Sequence, residues 1–316
     1  MSVEKTYHWQ GREDTEEGSD GLRWHQVIDN CQHSNNFSLL GFECDLGVVA
    51  NKGRVGAAKG PNVIRNALAN LAWHADCSLK DAGNIVAKES LADAQNQYAQ
   101  QITNSLRENS FVIGLGGGHE IAWGSYQGLA KHLAADSNKK IAIINFDAHF
   151  DLRNPSQEAS SGTPFRQIAE YCQSHDQPFH YACLGVAGSS NTSALFSYAK
   201  QTNTRYLLDI DCNLKAAKQL LKPMLTAVDE LYITICLDSF PANIAPGVSA
   251  PSALGIPVEF VINMLHWIAQ SQTTFHYNWQ LADIAEMNPT YDIDNRTAKL
   301  AARLIYEAVG SKFNKL

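Results

Sequence analysis

A chain of 316 residues with 45% hydrophobic and 18% charged residues is long enough to bury a full core, as one large α/β domain or two smaller ones. A formal net charge of -7 and a pI near 5.9, without any basic cluster to neutralise phosphates, argue against a nucleic-acid partner and favour a small molecule. No uncharged apolar run approaches the roughly 18 to 20 residues of a membrane span. The N-terminus is polar and acidic rather than a secretory signal. Seven scattered cysteines, at 31, 44, 77, 172, 183, 212 and 236, contain no C-x-x-C pair, which fits a reducing compartment and a cytoplasmic protein.

Residues 1–36 lack a periodic apolar pattern and carry many charges, which predicts an extended N-terminal arm or cap; residues 37–316 then read as a single domain. Ser38–Cys44 is the first strand, followed by the glycine-rich loop NKGRVGAAKGP. Pro61 at the first helical position opens the helix PNVIRNALANLAW. Leu91–Asn109 reads as an amphipathic helix and Phe111–Leu115 as a short buried strand running into GGGHE at 116–120. That glycine turn has neither the dinucleotide fingerprint nor the Walker lysine spacing, so His119 is its informative residue. Helical spacing resumes in IAWGSYQGLAKHLA.

Ile141–Asp151, IAIINFDAHFD, is an apolar run ending in Asp147, His149 and Asp151. A buried parallel strand with a period of two puts those three on one face. Two carboxylates and an imidazole converging at a buried strand end need a multivalent cation to compensate them; the alternative is a surface loop that happens to be rich in Asp and His. Beyond it, Thr163–Gln173 and Thr192–Gln201 are helical, with a strand at Tyr181–Val186 between them. Arg205–Ile210 is a strand, Cys212–Val228 a helix, and Leu231–Asp238 (LYITICLD) repeats the pattern of a β-branched run ending in an acid. Ile256–Ala269 is a helix, Phe275–Ile284 a last strand leading to Glu286, and Asn295–Val309 the closing helix.

This alternation predicts a three-layer α/β/α fold with a mostly parallel central sheet. Ligands of such folds bind outside the carboxyl ends of the strands. His119, Asp147, His149, Asp151, Asp238 and Glu286 all fall there, and their shared location favours a metal site.

GGGHE (116–120), DAHFD (147–151), CLDSFPANIAPG (236–247) and AEMNPTYDIDNRTAKLAARL (285–304), with the NKGRVGAAKGP loop, span nearly the whole chain. In this order they resemble the arginase/agmatinase ureohydrolase family, whose members hydrolyse guanidinium or amidine carbon–nitrogen bonds at a two-manganese site. The resemblance implies an arginase-like fold and two Mn²⁺ per subunit. His119 and Asp151 would hold one ion together with one residue of the 236/238 pair, Asp147 would bridge, and His149 would hold the other with the remaining partner. A hydroxide shared by the ions would attack the substrate. Asp151 would pass its proton to the departing nitrogen, and Glu286 would pair with the cationic amidine.

Two departures from the family pattern are present. Cys236 stands where the first Asp of S-x-D-x-D-x-x-D-P belongs and Pro241 where the third does, so that either a thiolate ligates or Cys236 is only a small buried side chain. Ser161 replaces a His thought to relay protons, which points away from arginine and agmatine. NKGRVGAAKGP, SSGTPFRQ (160–167) and CLD…APGVSAP resemble the branch that hydrolyses N-formimidoyl-L-glutamate to L-glutamate and formamide in histidine degradation. Such a substrate needs positive charge for its carboxylates: Arg153 is the first candidate, with Arg166 and Arg54 behind it. The alternatives are a ureohydrolase acting on a guanidino acid or agmatine-like substrate, and an inactive member with a binding role, suggested by Cys236 and Ser161. The family resemblance also implies a homo-oligomer.

Overall fold

Short runs of Val, Ile, Leu and Phe flanked by turns form strands whose both faces are covered, the pattern expected of a parallel sheet. In the computed structural model, which describes residues 7–29, 36–108, 110–134, 138–155 and 157–313, eight such strands assemble. They are β1 (Asn36–Glu43), β2 (Ser78–Val86), β3 (Ser110–Gly116), β4 (Ile141–Phe146), β5 (His180–Val186), β6 (Arg205–Leu208), β7 (Glu230–Cys236) and β8 (Asn278–Ala285). They form one sheet in the order β2-β1-β3-β8-β7-β4-β5-β6, every neighbouring pair parallel.

The helices are α1 (Trp24–Val27), α2 (Leu46–Ala50), α3 (Gly60–Ala69), α4 (Leu91–Arg107), α5 (Ile121–Leu133), α6 (Pro164–Ser174), α7 (Ser193–Gln201), α8 (Leu214–Leu225), α9 (Val258–Phe275) and α10 (Arg296–Phe313). They cover the sheet on both sides. One core joins Ile64 and Leu68 of α3 with Leu221, Leu265 and Leu304 of α8, α9 and α10. The other joins Tyr98, Ile102, Leu129 and Ile168 of α4, α5 and α6. Each fully buried aliphatic or aromatic side chain contributes roughly 1.5–3 kcal/mol, and the two cores sandwich the sheet into the expected three layers.

Differences from the sequence reading have local causes. β2 was not foreseen because SLKDAGNIV breaks its apolar run with Asp81, Gly83 and Asn84. Arg65 of α3 satisfies them: its guanidinium donates to Asp81 Oδ1 at 2.8 Å, Asp81 Oδ2 at 3.0 Å and Asn84 Oδ1 at 2.6 Å. Gly41 is required beside them, since a Cβ there would meet Asn84 Oδ1 at 1.9 Å. Phe275, expected to open the last strand, instead ends α9, which runs one and a half turns past Ala269. The expected N-terminal arm carries a 3-10 turn (Thr15–Gly21) and α1, and its Trp24 is buried edge-on against Phe37 and Trp73. Residues 1–6, Cys31 and the rest of 30–35, and Asn109 at the end of the expected fourth-helix span lie outside the described residues. The six other cysteines are free thiols. Among the described residues no helix is long and apolar enough to cross a membrane.

The four central strands, β3, β8, β7 and β4, bring the chain's polar motifs side by side at their carboxyl ends.

Candidate metal centre

β3 runs out at Gly116, and the next two glycines let the chain turn into α5 against crowded neighbours. A Cβ at Gly117 would lie 2.5 Å from the Cys44 carbonyl, and one at Gly118 would lie 2.1 Å from Glu120 Oε2. His119 follows, buried, its backbone N–H donating to Glu286 Oε1 at 3.0 Å. Its Nδ1 lies 2.9 Å from both Asp147 Oδ2 and Asp151 Oδ2, and its Nε2 lies 3.0 Å from Thr234 Oγ.

β4 stops at Phe146, so strand alternation does not bring Asp147, His149 and Asp151 together as the sequence reading expected. A turn does. Asp147 is held by Leu184 across the sheet end, and its Oδ1 accepts the His149 backbone N–H at 2.7 Å while Oδ2 accepts from Asn145 Nδ2 at 3.0 Å. Asp151 takes a left-handed backbone (φ 48) that folds its carboxylate back to His119. Asn191 secures the turn from outside, accepting from Phe150 N–H at 3.0 Å and donating to the Ala148 carbonyl at 2.8 Å. β7 ends on Cys236, and a 3-10 turn (Leu237–Ser239) presents Asp238, whose Oδ2 is 3.1 Å from His149 Nδ1.

Two donor groups result: His119, Asp147 and Cys236, and Asp147, His149 and Asp238, the ligand atoms of each lying within 4.8 Å of one another. Asp147 belongs to both. His119 Nδ1 and Asp238 Oδ1 are buried without a hydrogen bond of acceptable direction, although the His119 distances are those of ion pairs. Burial opposes a proton on His149, yet Asp238 and Asp147 push its pKa up to about 12. Burial and then Asp147 push Asp151 up to about 6. Burial raises Asp147 too, but His119 and His149 outweigh it and hold it below the usual carboxylate range. The cluster therefore demands positive charge, which protons on the imidazoles supply in the bare chain. Carboxylate oxygens and imidazole nitrogens around a shared carboxylate suit a pair of Mn²⁺-like ions, and the Cys236 sulfur adds one softer donor.

Of these donors His119, His149, Cys236 and Asp238 line a cavity of about 310 Å³, while Asp147 is fully buried. Glu286 enters it on a left-handed backbone (φ 70), its Oε2 buried and unpartnered. Burial, followed by Glu120 and Asp238, pushes its pKa up to about 8. Ser161, buried on the wall, accepts from Asn51 Nδ2 at 3.2 Å.

Arg153 lines the same cavity, exposed, without a hydrogen bond or ion pair from its guanidinium among the described residues. Its backbone N–H donates to the Gly162 carbonyl at 2.9 Å, and its Cδ crosses Gly162 so closely that a Cβ there would lie 2.8 Å away.

Arg54 lines the cavity as well, but its guanidinium donates to the Ser249 and Val248 carbonyls and lies 4.0 Å from the Tyr291 ring centroid, which makes it a clamp between loops. Arg166 does not reach the cavity. Its Nε donates to Glu170 at 2.9 Å and its guanidinium covers Tyr198, because helical i,i+4 spacing offers it a carboxylate on its own surface.

Lys52 and Asn191 were not foreseen. Lys52 stands at the rim on a left-handed backbone (φ 60), exposed and without an acidic partner among the described residues. Its place in NKGRVGAAKGP was the available signal.

The Arginase family model matches residues 35–310. Formimidoylglutamase of Hahella chejuensis is 47% identical over 98% of this chain and 96% of its own length. That of Aliivibrio fischeri is 46% identical over 97% and 95%. Among solved structures, Trypanosoma cruzi formiminoglutamase with Mn²⁺ has a TM-score of 0.78 at 25% identity, covering 89% of this chain and 95% of that one. Bacillus subtilis formimidoylglutamase shares the fold with a TM-score of 0.78 at 23% identity, covering 90% of each chain. A parallel sheet whose central strands end in GGGHE, DAHFD and the Cys236/Asp238 pair, matched along nearly its whole length, makes this chain a member of the arginase family.

Proposed function

We propose that the chain is a manganese-dependent hydrolase that converts N-formimidoyl-L-glutamate and water to L-glutamate and formamide, a step of histidine degradation. The observation that carries the reading is a single cavity lined by members of two donor groups joined at Asp147, by the buried Glu286 carboxylate with its Oε2 unpartnered, and by two rim cations without an acidic partner among the described residues, Lys52 and Arg153. The near-half identity to formimidoylglutamases over almost the full length supports it.

In this reading His119, Asp147, Asp151 and Cys236 would hold one ion, and Asp147, His149 and Asp238 the other. A pair of divalent ions supplies a hydroxide nucleophile near neutral pH. Glu286 offers Oε2 to the amidinium, so charge pairing orients the formimidoyl carbon above the floor of the cavity. The water oxygen becomes the carbonyl oxygen of formamide, the bond from that carbon to the glutamate nitrogen breaks, and the nitrogen leaves with a proton. Asp151, which lines the cavity with its carboxylate 2.9 Å from His119 Nδ1, delivers that proton. Lys52 and Arg153 face the two carboxylates of the glutamyl half, while Arg54 shapes the wall.

A ureohydrolase acting on a guanidino acid is the second reading, favoured by the same rim cations. The scattered free thiols fit a cytoplasmic setting, and homo-oligomeric assembly is part of the same proposal, on family resemblance. Assaying formimidoylglutamate, a guanidino acid, arginine and agmatine side by side with Mn²⁺ tests it. Formamide from the first substrate alone is expected; urea from any of the others in preference would overturn the assignment.

A further inference from the structure

One residue pair beneath the candidate metal ligands, a polar rung crosses the middle of the sheet. Gly114 of β3 pairs with Asp283 of β8, Asp283 with Thr234 of β7, Thr234 with Asn145 of β4, and Asn145 with Cys183 of β5. All five are buried, and Asp283, Thr234 and Asn145 are fully so. Strand alternation puts Thr234 on the same face as Cys236, and Asn145 Nδ2 donates to Asp147 Oδ2 at 3.0 Å.

Asp283 is the unexpected member. Its Oδ2 accepts from Ser125 Oγ at 2.6 Å and from the Tyr232 hydroxyl at 2.5 Å, while its Oδ1 is buried without a hydrogen-bond partner beside Thr234, its register neighbour on β7. Among the described residues no lysine or arginine pairs with it. The sheet makes room for it at Gly114, where a Cβ would lie 2.8 Å from Asp283 Cβ. A fully buried carboxylate without a cation costs several kcal/mol, so the fold must gain something by keeping it.

Direction of hydrogen bonding supplies the gain. A hydroxyl has one proton. If Thr234 turns it toward the unpartnered Asp283 Oδ1, its own oxygen accepts from His119 Nε2, 3.0 Å away. Nε2 then carries the imidazole proton, and Nδ1 turns its lone pair toward Asp147 and Asp151, both 2.9 Å off. Metal-binding histidines are generally oriented in this way by an acceptor behind them.

We propose that Asp283, acting through Thr234, is a positioning residue that fixes His119 in the tautomer whose Nδ1 faces the metal centre. The proposal rests on the reading of His119 as a ligand. It concerns one donor group only: His149, the imidazole of the other group, lies outside this chain of hydrogen bonds.

Equilibrium titration of the demetallated full chain with Mn²⁺, following free Mn²⁺ by electron paramagnetic resonance, tests it. The unaltered chain should bind two ions. Thr234→Val removes the acceptor, and Asp283→Asn replaces an acceptor with a group that can donate to Thr234 and reverse the chain. Each should weaken one ion by ~10–100-fold and leave the other unchanged. Thr234→Ser keeps the hydroxyl and should restore both constants. A purely structural role would lower the melting temperature without separating the two constants. Two unchanged constants in folded Thr234→Val or Asp283→Asn protein, or a Ser variant that behaves like Val, would overturn the proposal. Should Val fail to fold, the Asn and Ser variants decide alone. An unaltered chain that binds no ion would overturn the metal reading itself, and with it this inference.

Discussion

Cys236 and Asp238, one residue apart at the end of β7, serve different donor groups. The Cys236 sulfur belongs with His119 and Asp147, whereas Asp238 Oδ2 stands 3.1 Å from His149 Nδ1. The two groups are therefore chemically unequal, one all oxygen and nitrogen, the other with a sulfur. Burial, and then Asp147 and Asp238, push the Cys236 thiol well up in the bare chain, so thiolate there requires a cation.

The inequality predicts that Co²⁺ loading produces a sulfur-to-metal charge-transfer band in the near ultraviolet. Cys236→Ser should abolish it. Cys236→Asp should shift that group toward Mn²⁺ over Zn²⁺ by about tenfold, since a hard oxygen replaces a soft sulfur. A Co²⁺ spectrum identical in unaltered and Ser chains would remove Cys236 from the ligand set.

Lys52 and Arg153 are exposed cations at one cavity rim with no acidic partner among the described residues. Replacing either with Met should raise KM for formimidoylglutamate by about 10–100-fold, the loss of a charged hydrogen bond worth roughly 1.5–3 kcal/mol. Turnover of formamidine, which has no carboxylate, should stay the same. Equal losses on both substrates would mean that these side chains do not read the glutamyl half.

Arg65, wholly buried on α3, fastens β2 to the fold through Asp81 and Asn84. Arg65→Met leaves the Asp81 carboxylate without its buried partner and should cost about 3–5 kcal/mol. Urea denaturation measures this. Loss below about 1 kcal/mol would place the pair among weak surface contacts instead.

Lys312 donates to the Trp279 carbonyl, and its ammonium lies 4.8 Å from the Phe111 ring centroid. Burial lowers its pKa from 10.5 to about 8, with Glu230 opposing the shift. The folded chain thus binds this proton less readily than the unfolded one, and between pH 8 and 10.5 the unfolded state carries more of it. Stability relative to Lys312→Met should be lowest below pH 8 and rise across that window. Denaturation of the pair at several pH values reads the slope, and a flat or falling difference would contradict it.

The three layers were legible because β-branched runs and amphipathic helices carry their periods openly, as in IAIINF and LYITIC. β2 was hidden because its polar residues are matched by Arg65, a partner far away in the sequence. The donor residues could be read from their motifs, but the route to convergence could not. Asp151 arrives by a left-handed turn rather than by strand alternation, and a backbone sign leaves little trace in DAHFD. Arg166 illustrates the opposite limit: its place in SSGTPFRQ made it look available, while a carboxylate one helical turn on had already taken it. Lys52 escaped notice because its role depends on where α2 ends, which the glycine-rich loop alone does not state.

The central claim is that this cavity, once its two donor groups are filled, hydrolyses formimidoylglutamate. The demetallated chain should be titrated with Mn²⁺ while formamide release is followed. Formamide production should be absent at the start, rise with added metal and saturate at two Mn²⁺ per chain. No formamide at any Mn²⁺ loading, in protein that binds both ions, would contradict the account.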